Sequence, residues 1–274
     1  MIILILIVLG LCLGSFVNAL VWRVHKQFNI KKKADKEQYS IVRGRSMCPH
    51  CKHELSARDL IPVISWLSLG GKCRYCHKPI EDSPLVEVIT AGLFVVSYIY
   101  WPNGFTSQGT TLFILWLGFL TGFMALAVYD LKWYLLPNRL VYPLAGLAIL
   151  QLALVLVFFH GGSHALLAAA YGVLIGGGIF WVLFQISNGK WIGGGDVKLG
   201  ALLGLIVGGP ANSLLLLFLA SLLGTIVALP LLLTGKMKRT SRLPFGPFLI
   251  AAAIIVYLFG ASLIAWYDRI FLLS

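Results

Sequence analysis

Charge is scarce in this chain. Only 12% of its 274 residues are Asp, Glu, Lys or Arg, and ten of them are acidic. A soluble domain carries about 25% charged residues, so that class is excluded. Other features are missing as well. The first twenty residues, Met1 to Leu20, lack a basic n-region and an Ala-x-Ala cleavage site, and the basic residues follow the apolar run. This predicts a retained first span with its N-terminus outside, not a cleaved leader. No G-x-G-x-x-G follows a strand pattern, which removes a Rossmann-type nucleotide domain. No internal repeat is evident.

What is present is hydrocarbon. Apolar residues make up 59% of the chain, in runs at about 1–21, 85–101, 111–129, 140–159, 165–187, 196–209, 213–233 and 244–266. Most approach the ~20 residues that cross a bilayer core. The run 196–209 is short, covering roughly 21 Å as a helix. The loops between runs alternate between basic ones and ones with no Lys or Arg, so the positive-inside rule places both termini outside. The predicted fold is an all-α polytopic membrane protein: eight transmembrane helices with a small zinc-binding cytoplasmic domain. Its parts are a first helix over 1–21, a cytoplasmic domain over 22–84 and a seven-helix membrane domain over 85–274. Of the 22 Lys and Arg, thirteen lie between Arg23 and Lys78, and Lys31–Glu37 reads as a solvated charge run. The net charge of +12 is therefore assigned to topology and contact with the lipid bilayer, and nucleic acid is not expected as a partner.

Residues 22–84 are too few for a large core and need a staple. Cys48-Pro-His-Cys51 and Cys73-Arg-Tyr-Cys76 are two C-x-x-C knuckles separated by 21 residues. That pattern brings four thiolates into a tetrahedron and predicts a closed, structural zinc site. Disulfides and a redox C-x-x-C pair are the alternatives; a cytoplasmic location disfavours the first, and no βαβ pattern supports the second. His50, His53 and His77 are expected to face solvent. Cys12, inside the first span, reads as an inert packing residue.

Two acids sit at the cytoplasmic ends of apolar runs: Asp130, in Ala-Val-Tyr-Asp-Leu-Lys, and Asp196, in Gly-Gly-Gly-Asp-Val-Lys-Leu. A carboxylate near hydrocarbon marks a functional site by default. Two that meet repel as anions, so one retains a proton, which is the arrangement of a water-activating acid–base pair. The residues around them are the candidates for substrate binding: Pro137, Asn138, Gly193, Gly194, Gly195 and Lys198. The three glycines let the backbone bend closely around a guest peptide.

Gly193-Gly194-Gly195-Asp196 matches the GxGD signature of intramembrane aspartyl proteases, and Tyr129-Asp130 matches the partner motif. Along essentially its whole length the chain resembles the bacterial type IV prepilin peptidases. The resemblance is carried also by Gly14-Ser15-Phe16-Val17-Asn18 with Arg23, the two knuckles, Pro84-Leu85-Val86-Glu87, Pro137-Asn138 and Pro244-Phe245-Gly246-Pro247. It implies an enzyme of the bacterial inner membrane that cuts the basic leader from prepilins or pseudopilins at the cytoplasmic face. It also implies N-methylation of the new terminus with S-adenosylmethionine. Asn18 and Arg23 are then candidates for orienting donor or substrate; the alternatives are a helix–helix hydrogen bond and a positive-inside anchor. Glu87 is expected to pair with a Lys or Arg of the loop. Trp101 and Trp133-Tyr134 read as interfacial belts. Two rivals are weighed. A transporter or channel would use the same carboxylates, but the two halves show no matching broken segments. A non-enzymatic zinc scaffold leaves Gly193 to Asp196 without purpose.

Overall fold

The computed structural model of the chain describes residues 1–30, 39–41, 43–80, 82–158, 162–236 and 243–271. The charge run Lys31–Glu37 lies outside them, as do His160 and Gly161 of one predicted loop and Lys238, Arg239 and Arg242 of another.

Each apolar run forms a helix: α1 (Ile2–Asn29), α3 (Leu85–Ile99), α4 (Ser107–Trp133), α5 (Asn138–Val157), α6 (Gly162–Ser187), α7 (Gly194–Val207), α8 (Pro210–Leu233) and α9 (Gly246–Phe271). A five-residue helix, α2 (Ile64–Ser68), lies in the polar segment. Among the described residues six helices are long and apolar enough to cross a membrane; α3 and α7 are shorter. The first helix continues past the predicted boundary at 21. No breaker interrupts it, and Val21 and Val24 keep a buried stripe going to the extended residue Ile30.

Contacts divide the chain into two units. One comprises residues 1–99 with 120–128, the other residues 100–119 with 129–274. In the first, α1 packs on α3. Gly10 and Gly14 lie one helical turn apart on α1. A Cβ on either would come within 2.5 Å of the Cα of Ala91 or Glu87. This is the small-xxx-small device that lets two helices approach through their backbones.

The polar segment of this unit contains a repeat that the sequence reading missed. Cys48 N–H donates to His53 C=O and Lys52 N–H to Cys48 C=O, while Leu55 N–H donates to Ser46 C=O. Twenty-five residues on, Cys73 donates to Lys78, His77 to Cys73 and Ile80 to Gly71 in the same pattern. Lys52 and His77, both at positive φ, occupy equivalent places. His53 and Tyr75 stack between the two knuckles, 3.7 Å apart.

In the second unit α6, α7, α8 and α9 pack together, with α5 against α6 and α7. Gly172 and Gly176 of α6 face Gly204 and Gly200 of α7 so closely that a Cβ on any of the four would strike the opposing backbone. Trp101, read as a belt residue, is buried in the protein, donates Nε1–H to the Gly109 carbonyl at 3.1 Å, and packs on Phe113. Tyr134 is exposed, as a belt residue would be. Cys12 also departs from expectation, since it points outward from α1 instead of packing inside the protein.

Candidate functional site

Asp130 lies in the last turn of α4 and is only 5% exposed. The helix stops at Tyr134, whose left-handed conformation lets its N–H close on the Asp130 carbonyl at 2.8 Å. The chain then runs through Leu136 to Pro137, extended as the N-cap of α5, and Asn138 starts the next helix. The carboxylate of Asp130 is held from another direction. Gly246, the first residue of α9, donates its N–H to Asp130 Oδ2 at 3.1 Å, in a buried contact. The first N–H groups of a helix have no partner within it, so this one is available to an acid.

Asp196 is placed by the same principle on α7. Gly193 is the extended N-cap, and Asp196, three residues later, donates its N–H to the Gly193 carbonyl at 3.0 Å. A Cβ on Gly193 would lie 3.5 Å from Asp196 Oδ2, so the carboxylate folds back toward the start of the helix. Asp196 is half-buried, and its charge reaches Asp130. Lys198 donates to Asn138 Oδ1 at 3.0 Å, tying the start of α7 to the start of α5. The structure therefore gathers Asp130, Asp196, Pro137, Asn138 and Lys198 within one unit.

None of the three glycines has positive φ, and Gly194 and Gly195 are already helical. Gly195 provides space, since a Cβ on it would sit 3.2 Å from Leu136 Cβ. In the sequence Gly246 stands out only within the Pro244-Phe245-Gly246-Pro247 run that carries the resemblance. Its contribution is a backbone N–H, which no side-chain pattern signals, although the Pro-Phe-Gly-Pro run marks the turn that presents it.

The four knuckle cysteines converge. Their Sγ atoms all lie within 4.8 Å of one another, Cys48 and Cys76 at 3.8 Å, and none is bonded to another. A tetrathiolate with metal–sulfur bonds of about 2.3 Å has sulfur–sulfur edges of about 3.8 Å. Burial pushes the Cys48 thiol up to about 11. Burial acts the same way on Cys73, but backbone hydrogen bonds at Cys76 and Tyr75 outweigh it and bring that thiol down to about 7. A cation at the centre would offset the cost of ionising all four. His50, His53 and His77 are exposed, as expected of groups outside a complete ligand set.

Asn18, Arg23 and Glu87 belong to the other unit and line one cavity there. Arg23 is buried, and its Nη1 donates to the carbonyls of Ser40 and Ile41 at 3.2 and 3.1 Å. Glu87 makes no ion pair among the described residues. Instead Oε2 accepts the Val63 N–H at 2.6 Å, so the expected Lys or Arg partner is a backbone amide.

Comparison with known proteins adds an independent line. Residues 8–101 match the bacterial peptidase A24 N-terminal domain, and residues 117–229 match the type IV leader peptidase family. The prepilin leader peptidase/N-methyltransferase of Pseudomonas aeruginosa is 34% identical over 95% of this chain and 91% of its own length. The proteins of that name from Aeromonas hydrophila and Bacillus subtilis are each 33% identical, over 96% and 97% of this chain and 92% and 97% of their own. No solved structure matches.

Proposed function

The chain belongs to the type IV leader peptidase family, and from that premise we propose that it is a membrane aspartyl endopeptidase that also methylates its product. Its substrates are prepilins or pseudopilins, cut between the basic leader and the apolar segment. The observation that carries the peptidase reading is the seating of Asp130. A buried carboxylate is fixed by the Gly246 N–H while a second carboxylate, Asp196, lies within reach of its charge.

Two such groups titrate as a pair and share one proton. The ionised member takes a proton from water as the water oxygen forms a bond to the scissile carbonyl carbon. The protonated member donates to the carbonyl oxygen. Collapse of the tetrahedral intermediate breaks the C–N bond, and the leaving amine takes a proton. No covalent enzyme intermediate is involved. The hydrogen bond from Lys198 to Asn138 supports the approach of α7 to α5, next to the exposed Gly193 and Gly194 along which an extended peptide would run.

Cys48, Cys51, Cys73 and Cys76 would hold a structural zinc ion; four thiolates leave it no open position for substrate. When bound, S-adenosylmethionine would supply an electrophilic methyl group to the new amine. Asn18, Arg23 and Glu87 are the polar residues assigned to that half of the function.

We read all eight apolar helices as membrane spans of the bacterial inner membrane. Both termini are outside, and the knuckles and the aspartates are on the cytoplasmic side. The alternation of basic and uncharged loops supports this orientation. The test is direct. Purified protein is incubated with a prepilin and S-adenosylmethionine, and the mass of the product's N-terminus is measured. A shortened, singly methylated pilin is expected. An intact prepilin would overturn the peptidase reading, and a shortened but unmodified pilin the methyltransferase reading.

A further inference from the structure

The polar segment of the first unit exposes a patch of hydrocarbon. Among the described residues from 43 to 80, five large apolar side chains are exposed: Leu60, Ile61, Ile64, Leu67 and Tyr75. Four of them fall between Leu60 and Leu67, so the exposure is concentrated in one stretch. Ile64 and Leu67 stand three apart on α2, which puts them on one face, and they are 63% and 64% exposed. The other side of α2 is turned inward, where Ser65 and Trp66 line the cavity.

The depth of this patch is set by α3 and α1. Val63, the residue before α2, donates its N–H to Glu87 Oε2 at 2.6 Å, and Glu87 is in the first turn of α3. Glu87 lies against Gly14 of α1. Gly14 comes seven residues before Val21, where the apolar run of α1 ends. That separation is about 10 Å along a helix. The loop is therefore tied to a carboxylate about 10 Å inside the level at which α1 turns polar. Helix α3 has fifteen residues and covers about 22 Å, against a hydrocarbon core of about 30 Å. The shortfall is made up at its start, where the Glu87 contact holds α2. The patch thus begins at the depth where the exposed row of α3, Leu85, Val88 and Ile89, also begins.

Charge fits the same partner. Arg58 and Lys72 flank the patch in sequence and are exposed, while the one acid within it, Asp59, is taken up by Arg74. Elements that lie in a membrane interface bury an apolar face by about 5–10 Å and carry Lys or Arg beside it. We propose that Leu60, Ile61, Ile64 and Leu67 are an interfacial anchor that inserts into the cytoplasmic leaflet of an anionic bilayer, with Arg58 and Lys72 at its headgroups. This rests on the reading of α1 and α3 as membrane spans. Lipid then braces the outer side of a loop whose inner side walls the cavity, and the knuckles are held against the membrane surface at a second point besides the helices.

The test uses the full chain in nanodiscs containing phosphatidylglycerol with a photoreactive diazirine on its acyl chain. After illumination, lipid adducts are located by peptide mass analysis. Adducts are expected on residues 60–67 and on residues 85–89 of α3, and not on residues 48–54. Adducts on α3 with none on residues 60–67 would mean that the patch faces water or a protein partner, and would overturn the anchor while leaving α3 a span. Adducts on neither would take the reading of α3 as a span down with it. Amide hydrogen exchange of residues 60–69 gives a second readout. Replacing Ile64→Ser and Leu67→Ser together should speed it about tenfold or more, since two side chains lose their hydrocarbon contact. Exchanging the anionic lipid for phosphatidylcholine should speed it about fivefold. Exchange that is unchanged by the double substitution would overturn the anchor, and equal exchange in the two lipids would overturn its headgroup contact. Both substituted side chains are exposed, so the fold does not depend on them, and the adduct map of the unaltered protein decides in any case.

Discussion

Residues 43–80 hold two knuckles, a single 3-10 turn and a five-residue helix, whereas the described residues of 129–271 are mostly helical. The first region is shaped by a few point constraints. They are the four thiols, the Asp59 contacts to Arg74 and Tyr75, and the Glu87 hold on Val63. The second is shaped by distributed contact, above all the four glycines at which α6 and α7 meet. A point constraint fails locally and completely when its residue changes, while distributed packing yields a little at each position. The aspartates draw on the second kind of order. Their donors come from the starts of α7 and α9, which packed helices hold in place. Peptidase chemistry should therefore depend on helix positions and be tolerant of the knuckles.

The largest effect should come from the carboxylates themselves. Asp130→Asn or Asp196→Asn removes a group that exchanges the reacting proton, and cleavage should fall by roughly 10²–10⁴-fold or below detection. Membrane accumulation should stay near normal, because the packing at the four glycines does not involve either carboxylate. Mass analysis of the prepilin product checks this. Near-normal processing by either variant would remove that aspartate from the chemistry and with it the contrast between the two regions.

Gly246→Ala tests whether helix position sets the geometry. A Cβ there would lie 2.6 Å from Asp130 Oδ2, too close for both to stay in place. A displacement of about 1 Å at a reacting group costs on the order of 10²-fold. The loss should fall on kcat, with KM for prepilin little changed. An unaltered kcat would mean that Asp130 works without the Gly246 contact.

The third effect falls on the other side of the comparison. Removing metal with a chelator, or changing Cys73→Ser, should release the knuckles, with proteolysis within residues 43–80 faster by about tenfold or more, since metal binding and folding of such small units are coupled. Methyl transfer should suffer more than cleavage, because Asn18, Arg23 and Glu87 lie in the same unit as this segment. Equal loss of both activities would show that the dyad depends on the knuckles after all.

How far the sequence alone reached follows the same division. The eight apolar runs foretold the helices, because a run's length without charge is set by hydrocarbon. The end of α1 was not foretold, since Arg23 and Lys26 resemble a boundary while nothing in the backbone stops the helix before Ile30. Asp130 and Asp196 were legible as acids out of place. Gly246 was not, because it acts through a backbone N–H contributed from 116 residues away. Glu87 was misread for the same reason: its partner is an amide of Val63, not a cation. The knuckle repeat could have been read, since both C-x-x-C turns recur at one offset, but its hydrogen-bond symmetry appears only in three dimensions.

The smallest effect isolates one polar contact within the knuckle region. Asp59 Oδ1 accepts from Arg74 Nε at 2.7 Å, and its side chain is almost fully enclosed. Burial alone would raise its carboxyl, but the hydrogen bonds from Arg74 and Ser56 outweigh it and hold the group below the usual carboxylate range. A group whose folded pKa is depressed contributes stability above its unfolded pKa, about 3.9 for Asp. That contribution is lost only as pH falls through the depressed value. Between pH 7 and about 5.5 it should therefore be constant. Asp59→Asn should speed proteolysis of residues 43–80 by about twofold, the modest size expected of a partly solvated pair. The ratio of variant to unaltered rates should be the same at pH 7 and pH 5.5. A ratio that shrinks toward one across that interval would mean that Asp59 is already taking up its proton, and that the Arg74 contact does not hold it ionised.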